Sequence, residues 1–389
     1  MRKPYERVAQ LALVLLGIGS VLAILVVDSS AAPGCSAHDS NTRFSVQHSS
    51  VAPRIQKITD DVLAGGMQTS QSVKGLIVVQ RISTGELVAV ASQEGPNNGK
   101  CFYGQAEAFR AWEPGSVMKP LITAAALDEG KLTLEDSFYN VGRLRIGDDE
   151  IVNAVNIPKG YYTYKDMVEK SINLGAVAAL QRLSDEDKID TQSRNTWYDY
   201  LTNIYGLGRP TGAYDHEQPG YIPAPNNRQS TNTRYAYTSF GIGLTVTPVQ
   251  LTSAYAALVN NGIYNTPTLQ QADTANSSTA KVSRISPGVS EAIRSVLVST
   301  AKSSNSAALR EGYVIGGKSG TGPSADDTGT YQFYRSVGTY IGFVGKSDPE
   351  YIVLIKLDEP KTADTFASGT AAKIWASYVG KLIDAGQVQ

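Results

Sequence analysis

A hydroxyl and an amine three residues apart stand in the segment Trp112-Glu113-Pro114-Gly115-Ser116-Val117-Met118-Lys119-Pro120. Pro114 and Gly115 predict a turn. The apolar run from Val117 to about Glu129 predicts a helix, and Gly130 is placed to end it. Pro120 fits there because the first four N–H groups of a helix have no intrahelical partner. Three-residue spacing puts Ser116 and Lys119 on one face, so a nucleophile stands beside a base able to take its proton. The same residues also read as an N-capping serine and a surface lysine, and Ser-x-x-Lys recurs at Ser278–Lys281 and Ser299–Lys302.

Two further polar sets bear on that choice. Ser171-Ile172-Asn173 brings a hydroxyl and an amide, although Ser-x-Asn recurs at Ser193, Ser230 and Ser303. Lys318-Ser319-Gly320-Thr321 contains the chain's single Lys-[Ser/Thr]-Gly. Gly312 to Ser319 formally matches a nucleotide-binding P-loop. That reading fails, because such a loop must open a helix, and Gly320-Thr321-Gly322-Pro323 starts one poorly. Read as a strand, the residues alternate faces. Gly320 then admits a backbone or substrate at close range. Lys318 supplies positive charge, and Ser319 and Thr321 supply hydroxyls for a carboxylate.

The elements that must position these groups follow from periodicity. Arg43–Gln47 is expected as a strand, and Val51–Leu63 as a helix closed by Gly65-Gly66. Gly75–Gln80 and Glu86–Ala91 are expected strands around Ser83-Thr84-Gly85. Thr163 predicts the N-cap of a helix to about Lys170, and Leu174–Leu183 predicts another, followed by a loop. Tyr205–Gly220 is rich in turn residues. Thr247-Pro248 opens an apolar helix to about Asn260. Gln270–Ala280 reads as an exposed loop, and Pro287–Lys302 as a helix. A polar loop is expected up to about Arg335. Val337–Phe343 and Tyr351–Leu357 alternate as strands around Lys346–Pro349, and Thr370–Ile383 closes the chain as a helix. Strands at both ends and helices between imply an α+β fold, an antiparallel sheet packed by helices.

At 389 residues the chain suffices for a large core, and its net charge of −1 gives no electrostatic sign of nucleic-acid binding. His38, His48 and His216 lie apart and form no metal-ligand pattern, which weakens a Ser-His-Asp reading. Val8–Val27 is apolar apart from Gln10 and Ser20, long enough to span a bilayer, and preceded by Arg2, Lys3 and Arg7. The expectation is a cytoplasmic segment 1–7, a membrane helix 8–27, a linker 28–42 and an extracytoplasmic domain 43–389. The rival is a signal peptide cleaved near Ala31-Ala32. Cys35 and Cys101, the only cysteines, are candidates for pairing outside the cell.

Taken in order, the Ser116, Ser171 and Lys318 sets are the three motifs shared by penicillin-binding proteins and class A β-lactamases. The sequence resembles the transpeptidase domain of class B penicillin-binding proteins over roughly residues 43 to 385. Ile82-Ser-Thr-Gly-Glu-Leu-Val-Ala-Val-Ala-Ser, Tyr205-Gly-Leu-Gly-Arg-Pro-Thr-Gly, Phe240-Gly-Ile-Gly-Leu-Thr-Val-Thr-Pro-Val-Gln-Leu and Leu357-Asp-Glu-Pro carry the likeness beyond the motifs. The resemblance implies a penicillin-binding-protein/β-lactamase-like transpeptidase fold with an all-helical lobe. It implies acyl transfer from D-Ala-D-Ala stem peptides of peptidoglycan, with no metal or cofactor, and acylation by β-lactams. Ser116 is then the nucleophile and Lys119 its base. Asn173 orients that lysine, and Ser171 and Lys318 relay a proton. Ser319, Gly320 and Thr321 bind the carboxylate, and the N–H groups of Ser116 and Thr321 form the oxyanion hole. No counterpart of the class A water-activating glutamate is evident, so deacylation is expected to be slow.

Class B relatives carry a pedestal domain between anchor and catalytic domain. Here the first expected strand follows the membrane segment by about 15 residues, a reach of at most about 50 Å extended. The expectation is an enzyme working close to the membrane or spaced by a separate protein. A membrane glycosyltransferase is the partner that the resemblance suggests. Rival readings keep the fold with water as acceptor, as a D,D-carboxypeptidase or a β-lactamase, or make the domain a non-catalytic β-lactam-binding scaffold or sensor.

Overall fold

The computed structural model describes residues 49–95, 105–147, 149–227, 231–271, 282–325, 331–362 and 366–389, all within the unit Gly34–Gln389. The expected membrane helix 8–27, linker 28–42, strand Arg43–Gln47, Cys35, Cys101 and most of Gln270–Ala280 lie outside the described residues. Among the described residues no helix is long and apolar enough to cross a membrane.

The described residues open with helix α1 (Pro53–Ser70), then strands β1 (Lys74–Arg81) and β2 (Leu87–Glu94). Helix α2 (Lys119–Asp128) follows a 3-10 turn at Gly115–Met118. Four short strands come next, β3 (Ser137–Asn140), β4 (Arg143–Ile146), β5 (Asp149–Val152) and β6 (Gly160–Thr163). Helices α3 (Tyr164–Lys170), α4 (Asn173–Arg182), α5 (Thr191–Asp199), α6 (Asn232–Thr238) and α7 (Pro248–Val259) continue the chain. The remainder is β7 (Ile263–Tyr264), β8 (Val282–Ser283), α8 (Pro287–Ser304), β9 (Val314–Ala325), β10 (Tyr331–Gly345), β11 (Tyr351–Asp358) and α9 (Ala371–Asp384).

The five-stranded sheet runs β2-β1-β11-β10-β9 and every pairing is antiparallel. Because side chains alternate, the sheet buries both faces. Ile77, Val79, Tyr340, Val353, Ile355 and Leu357 pack under α1 and α9. Leu76, Val78, Ile341, Phe343, Ile352 and Leu354 pack under the helical lobe. Helix α7 is buried along its whole length and forms the axis of that lobe. Its Thr247 and Gln250 make a reciprocal capping box, and Pro248 supplies the fixed φ of the first turn.

Four expectations are corrected, and one helix that none of them covered, α6, is added. Helix α1 runs through Gly65-Gly66 to Ser70. Gly66 serves packing there, since a Cβ would lie 2.7 Å from Ile374 of α9. The loop after Leu183 contains α5 and a π-helical turn at Tyr200–Ile204. Only Ser193 and Trp197 of α5 are buried, so it carries almost no apolar period, and its start is set by the Asp190 capping box. Helix α6 is short and capped by Thr231. The polar loop toward Arg335 already belongs to β10 from Tyr331. Finally, the helical lobe is not all-helical, because the ribbons β3–β6 and β4–β5 are built into it.

The sheet's back face depends on Trp375, which is fully buried, donates to Val353 O at 3.0 Å and packs on Tyr340 at 4.9 Å. Trp375→Ala is expected to lower unfolding stability by about 3–5 kcal/mol in urea titrations, a cost that an exposed site would not incur.

Candidate active site

The turn that presents Ser116 is held from two sides. Trp112 exchanges backbone hydrogen bonds with Val246 at 3.0 Å each way, and Gly115 N donates to Gly241 O at 3.0 Å. Gly243 N donates to Glu113 Oε1 at 2.8 Å. Gly241 has φ +84, and a Cβ there would sit 2.1 Å from Gly115 O. The Phe240-Gly-Ile-Gly segment therefore needs its glycine in order to press against the turn. From the other side comes β9, where a Cβ on Gly320 would lie 2.8 Å from Pro114 O and 3.0 Å from Val117 N. From below, Tyr255 of α7 donates to Val117 O at 2.6 Å.

Lys119 begins α2 and is fully buried. Its Nζ lies 2.6 Å from Ser116 Oγ, 2.8 Å from Asn173 Oδ1 and 3.2 Å from Ser171 Oγ. These three oxygens use all three donors of an ammonium. The Phe240 ring stands 5.9 Å from the same nitrogen. Ser171 reaches the cluster from the left-handed C-cap of α3, with φ 58 and its N–H on Met167 O. That conformation is uncommon for a serine. Asn173 is the first residue of α4, and its Nδ2 donates to Val152 O at 2.9 Å, which fixes its oxygen toward Lys119.

Lys318 enters from the sheet. It is 1% exposed, and its Nζ donates to Ser171 Oγ at 3.1 Å and to Ser319 O at 2.8 Å. Two lysine nitrogens thus meet on one hydroxyl. Burial, and then the charge of Lys318, push the Lys119 amine well below its ordinary range. Burial alone pushes Lys318 down to about 7. Under both effects Lys119 gives up its proton before Lys318, and Lys318 in turn loses its own at lower pH than an exposed lysine would.

Ser116, Lys119, Ser171, Asn173 and Lys318 therefore form one cluster from three stretches of sequence. Ser319 and Thr321 are half-buried on β9, on the face alternate to Lys318, with Gly320 buried between them. Thr321 Oγ1 accepts the Ala367 N–H at 3.0 Å, which ties the segment before α9 to the site. Val152, Phe240 and Ala367 also touch the cluster, and sequence reasoning gave them no role. Phe240 lay in a stretch already noted, but nothing in its type announced contact with an amine. A separate cavity of about 270 Å³, lined by Lys74, Glu94, Glu107, Lys356 and Asp358 among others, contains none of these groups.

Known proteins resemble this chain across the same region. The family model of the penicillin binding protein transpeptidase domain matches residues 75–379. Stage V sporulation protein D of Bacillus subtilis is 32% identical over 277 residues, 68% of this chain and 41% of the relative. A peptidoglycan D,D-transpeptidase FtsI homolog of Mesostigma viride is 26% identical over 366 residues, 85% of this chain and 60% of the relative. The chain thus spans 41% to 60% of the length of these two curated relatives. Among solved structures, the transpeptidase domain of Burkholderia pseudomallei penicillin-binding protein 3 superposes with a TM-score of 0.74 at 23% identity, covering 88% of this chain and 97% of that one. Penicillin-binding protein 3 of Mycobacterium tuberculosis, complexed with aztreonam, gives 0.74 at 23%, covering 87% and 78%.

The shifted lysine makes stability depend on pH. Between about 7 and 10.5 the unfolded chain holds a proton on Lys318 that the folded chain has lost. Stability therefore rises with pH across that window and is flat, for this group, outside it. Urea midpoints from pH 6 to 10 are expected to rise less steeply in Lys318→Met than in the wild type. An unchanged slope would contradict the assignment.

Proposed function

This chain belongs to the penicillin binding protein transpeptidase domain family, and from that premise we propose that it is a serine-type peptidoglycan D,D-transpeptidase. The observation that carries the proposal is the 2.6 Å separation of Lys119 Nζ and Ser116 Oγ inside a buried cluster. A charged Lys119 can only donate to Ser116. Once neutral it keeps two N–H groups for Ser171 and Asn173 and turns its lone pair to the Ser116 hydroxyl.

In the proposed reaction Ser116 Oγ attacks the carbonyl of the penultimate D-alanine, and Lys119 takes the hydroxyl proton. The tetrahedral oxyanion is held by backbone N–H groups, for which Ser116 and Thr321 are the candidates. The C–N bond to the last D-alanine then breaks. The departing nitrogen takes the proton of Ser171 Oγ, which Lys318, 3.1 Å away, replenishes. Lys318, Ser319 and Thr321 provide the charge and hydroxyls for the substrate's terminal carboxylate. The resulting ester on Ser116 passes to an amine of a second stem peptide. β9 ends the sheet order, and an extended peptide can add along such an edge.

β-Lactams present a comparable amide carbonyl in a strained ring, so they are proposed to acylate Ser116 as well. The apolar span Val8–Val27 with its preceding arginines and lysine supports a single-pass anchor, with the catalytic domain outside the cytoplasmic membrane. Such an anchor would put the domain within reach of a membrane glycosyltransferase.

Fluorescent penicillin is expected to label the wild type covalently and to leave Ser116→Ala unlabelled. Lys119→Ala should retain the nucleophile but acylate about 10²–10⁴-fold more slowly, the usual worth of a positioned base. Label persisting on Ser116→Ala would place the nucleophile elsewhere.

A further inference from the structure

Lys119 has an aromatic wall. Its Nζ lies over the face of the Phe240 ring, 5.9 Å from the centroid. Its polar contacts are the oxygens of Ser116, Ser171 and Asn173. None of these partners is a carboxylate, and the charge that acts on the amine is that of Lys318 on β9.

Phe240 also reaches toward the outside. It is 6% exposed and packs on Tyr237 of α6 with centroids 5.5 Å apart. Tyr237, Ile242 and Gly243 are half-buried. Burial, and then the charge of the exposed Asp149 on β5, push the Tyr237 hydroxyl up. From Lys119 outward, the contacts thus run through Phe240 to Tyr237 and on to Asp149.

The backbone under the ring is held at both ends. Phe240 N and Ile242 N donate to Tyr237 O at 3.2 and 3.1 Å, and Gly241 N donates to Thr238 O at 3.2 Å. These bonds tie the segment to the end of α6. Gly241 O accepts from Gly115 N at 3.0 Å, and Gly243 N donates to Glu113 Oε1 at 2.8 Å. These tie it to the turn that carries Ser116. The ring therefore keeps its place over Lys119 as long as the nucleophile keeps its own.

Two effects of the ring on the amine oppose each other. An aromatic face attracts a cation, which favours the charged form. At 5.9 Å, close to the outer limit of about 6 Å, that attraction moves a titration by less than about one pH unit. The ring also fills space that water would otherwise take. Keeping water from a fully buried lysine lowers its titration by up to about 3–5 pH units. Exclusion of water is the larger effect.

We propose that Phe240 is a positioning residue for the reaction, whose ring shuts water away from Lys119 and so keeps the amine in the neutral form that takes the Ser116 proton. Phe240 acts through Lys119 and not on the substrate. The assignment rests on the reading of Ser116 as nucleophile and Lys119 as base.

The test is the pH profile of penicillin acylation, measured on the full-length protein. Its acid limb reports protonation of the base. In Phe240→Ala water reaches the amine and the charged form gains. The limb is expected to move to higher pH by about one unit, so that acylation on the limb falls about tenfold. Phe240→Leu restores an apolar wall without an aromatic face, and its limb is expected back near the wild-type position. Phe240→Val is expected to shift the limb as alanine does but by less, and it serves if the alanine variant does not fold. A limb that stays in place in the truncations, with the rate falling evenly at every pH, would overturn the proposal and leave Phe240 a packing residue. A limb displaced to lower pH would also overturn it, since the ring would then be stabilising the charged amine. A wild type unreactive toward penicillin would instead remove the nucleophile-and-base reading. A ¹³C NMR titration of Lys119 in the wild type and the truncated variant then decides for Phe240. A higher midpoint in the variant supports the proposal, and an equal one overturns it.

Discussion

Two amines are buried against a single hydroxyl, and the rest of the molecule makes that arrangement hold. Taking a lysine out of water strongly disfavours its charged form. Two of them meeting on Ser171 cannot both stay protonated at ordinary cost, so the pair behaves as one unit with a shared proton inventory. The consequence is chemical, since an amine held well below its ordinary range is suited to act as a base toward Ser116 without any histidine. The cost falls on folding, and the two apolar layers on either face of the sheet offset it.

The architecture serves that convergence by bringing in each group on a different element. Lys119 rides on α2, Ser171 on the end of α3, Asn173 on the start of α4 and Lys318 on β9. No single element can shift without breaking a contact made by another. The Ser116 turn is the tightest point. Gly241 and Gly320 let two backbones approach it from opposite sides, and Tyr255 holds it from α7. These contacts leave Ser116 half-exposed while Lys119 is sealed.

Much of this was legible in the sequence, for physical reasons that differ by element. The strands β1 and β11 are apolar runs bounded by turns, the helices α7 and α8 carry caps and proline at their starts, and α3 has Thr163. Such signals are local and survive folding. The polar cluster was readable because the Ser116, Ser171 and Lys318 sets occur together and in order, although the first two pairs each recur elsewhere in the chain. Helix α5 was missed because it lies on the surface with few buried residues, and α6 because seven residues carry no clear period. The extension of α1 through Gly65-Gly66 was missed because its cause, the contact with Ile374, is far away in the chain. Val152 and Ala367 were invisible for a related reason. They act through backbone groups, and backbone groups have no sequence signature.

The central claim is that Lys119 is uncharged when Ser116 reacts. Its most direct test is a titration of lysine carbons beside the amine, labelled with ¹³C and followed by NMR, with Lys119 assigned by substitution. The account predicts a midpoint for Lys119 far below 10.5 and below that of Lys318. A Lys119 that titrates like an exposed lysine, in a protein that still acylates normally, would contradict it.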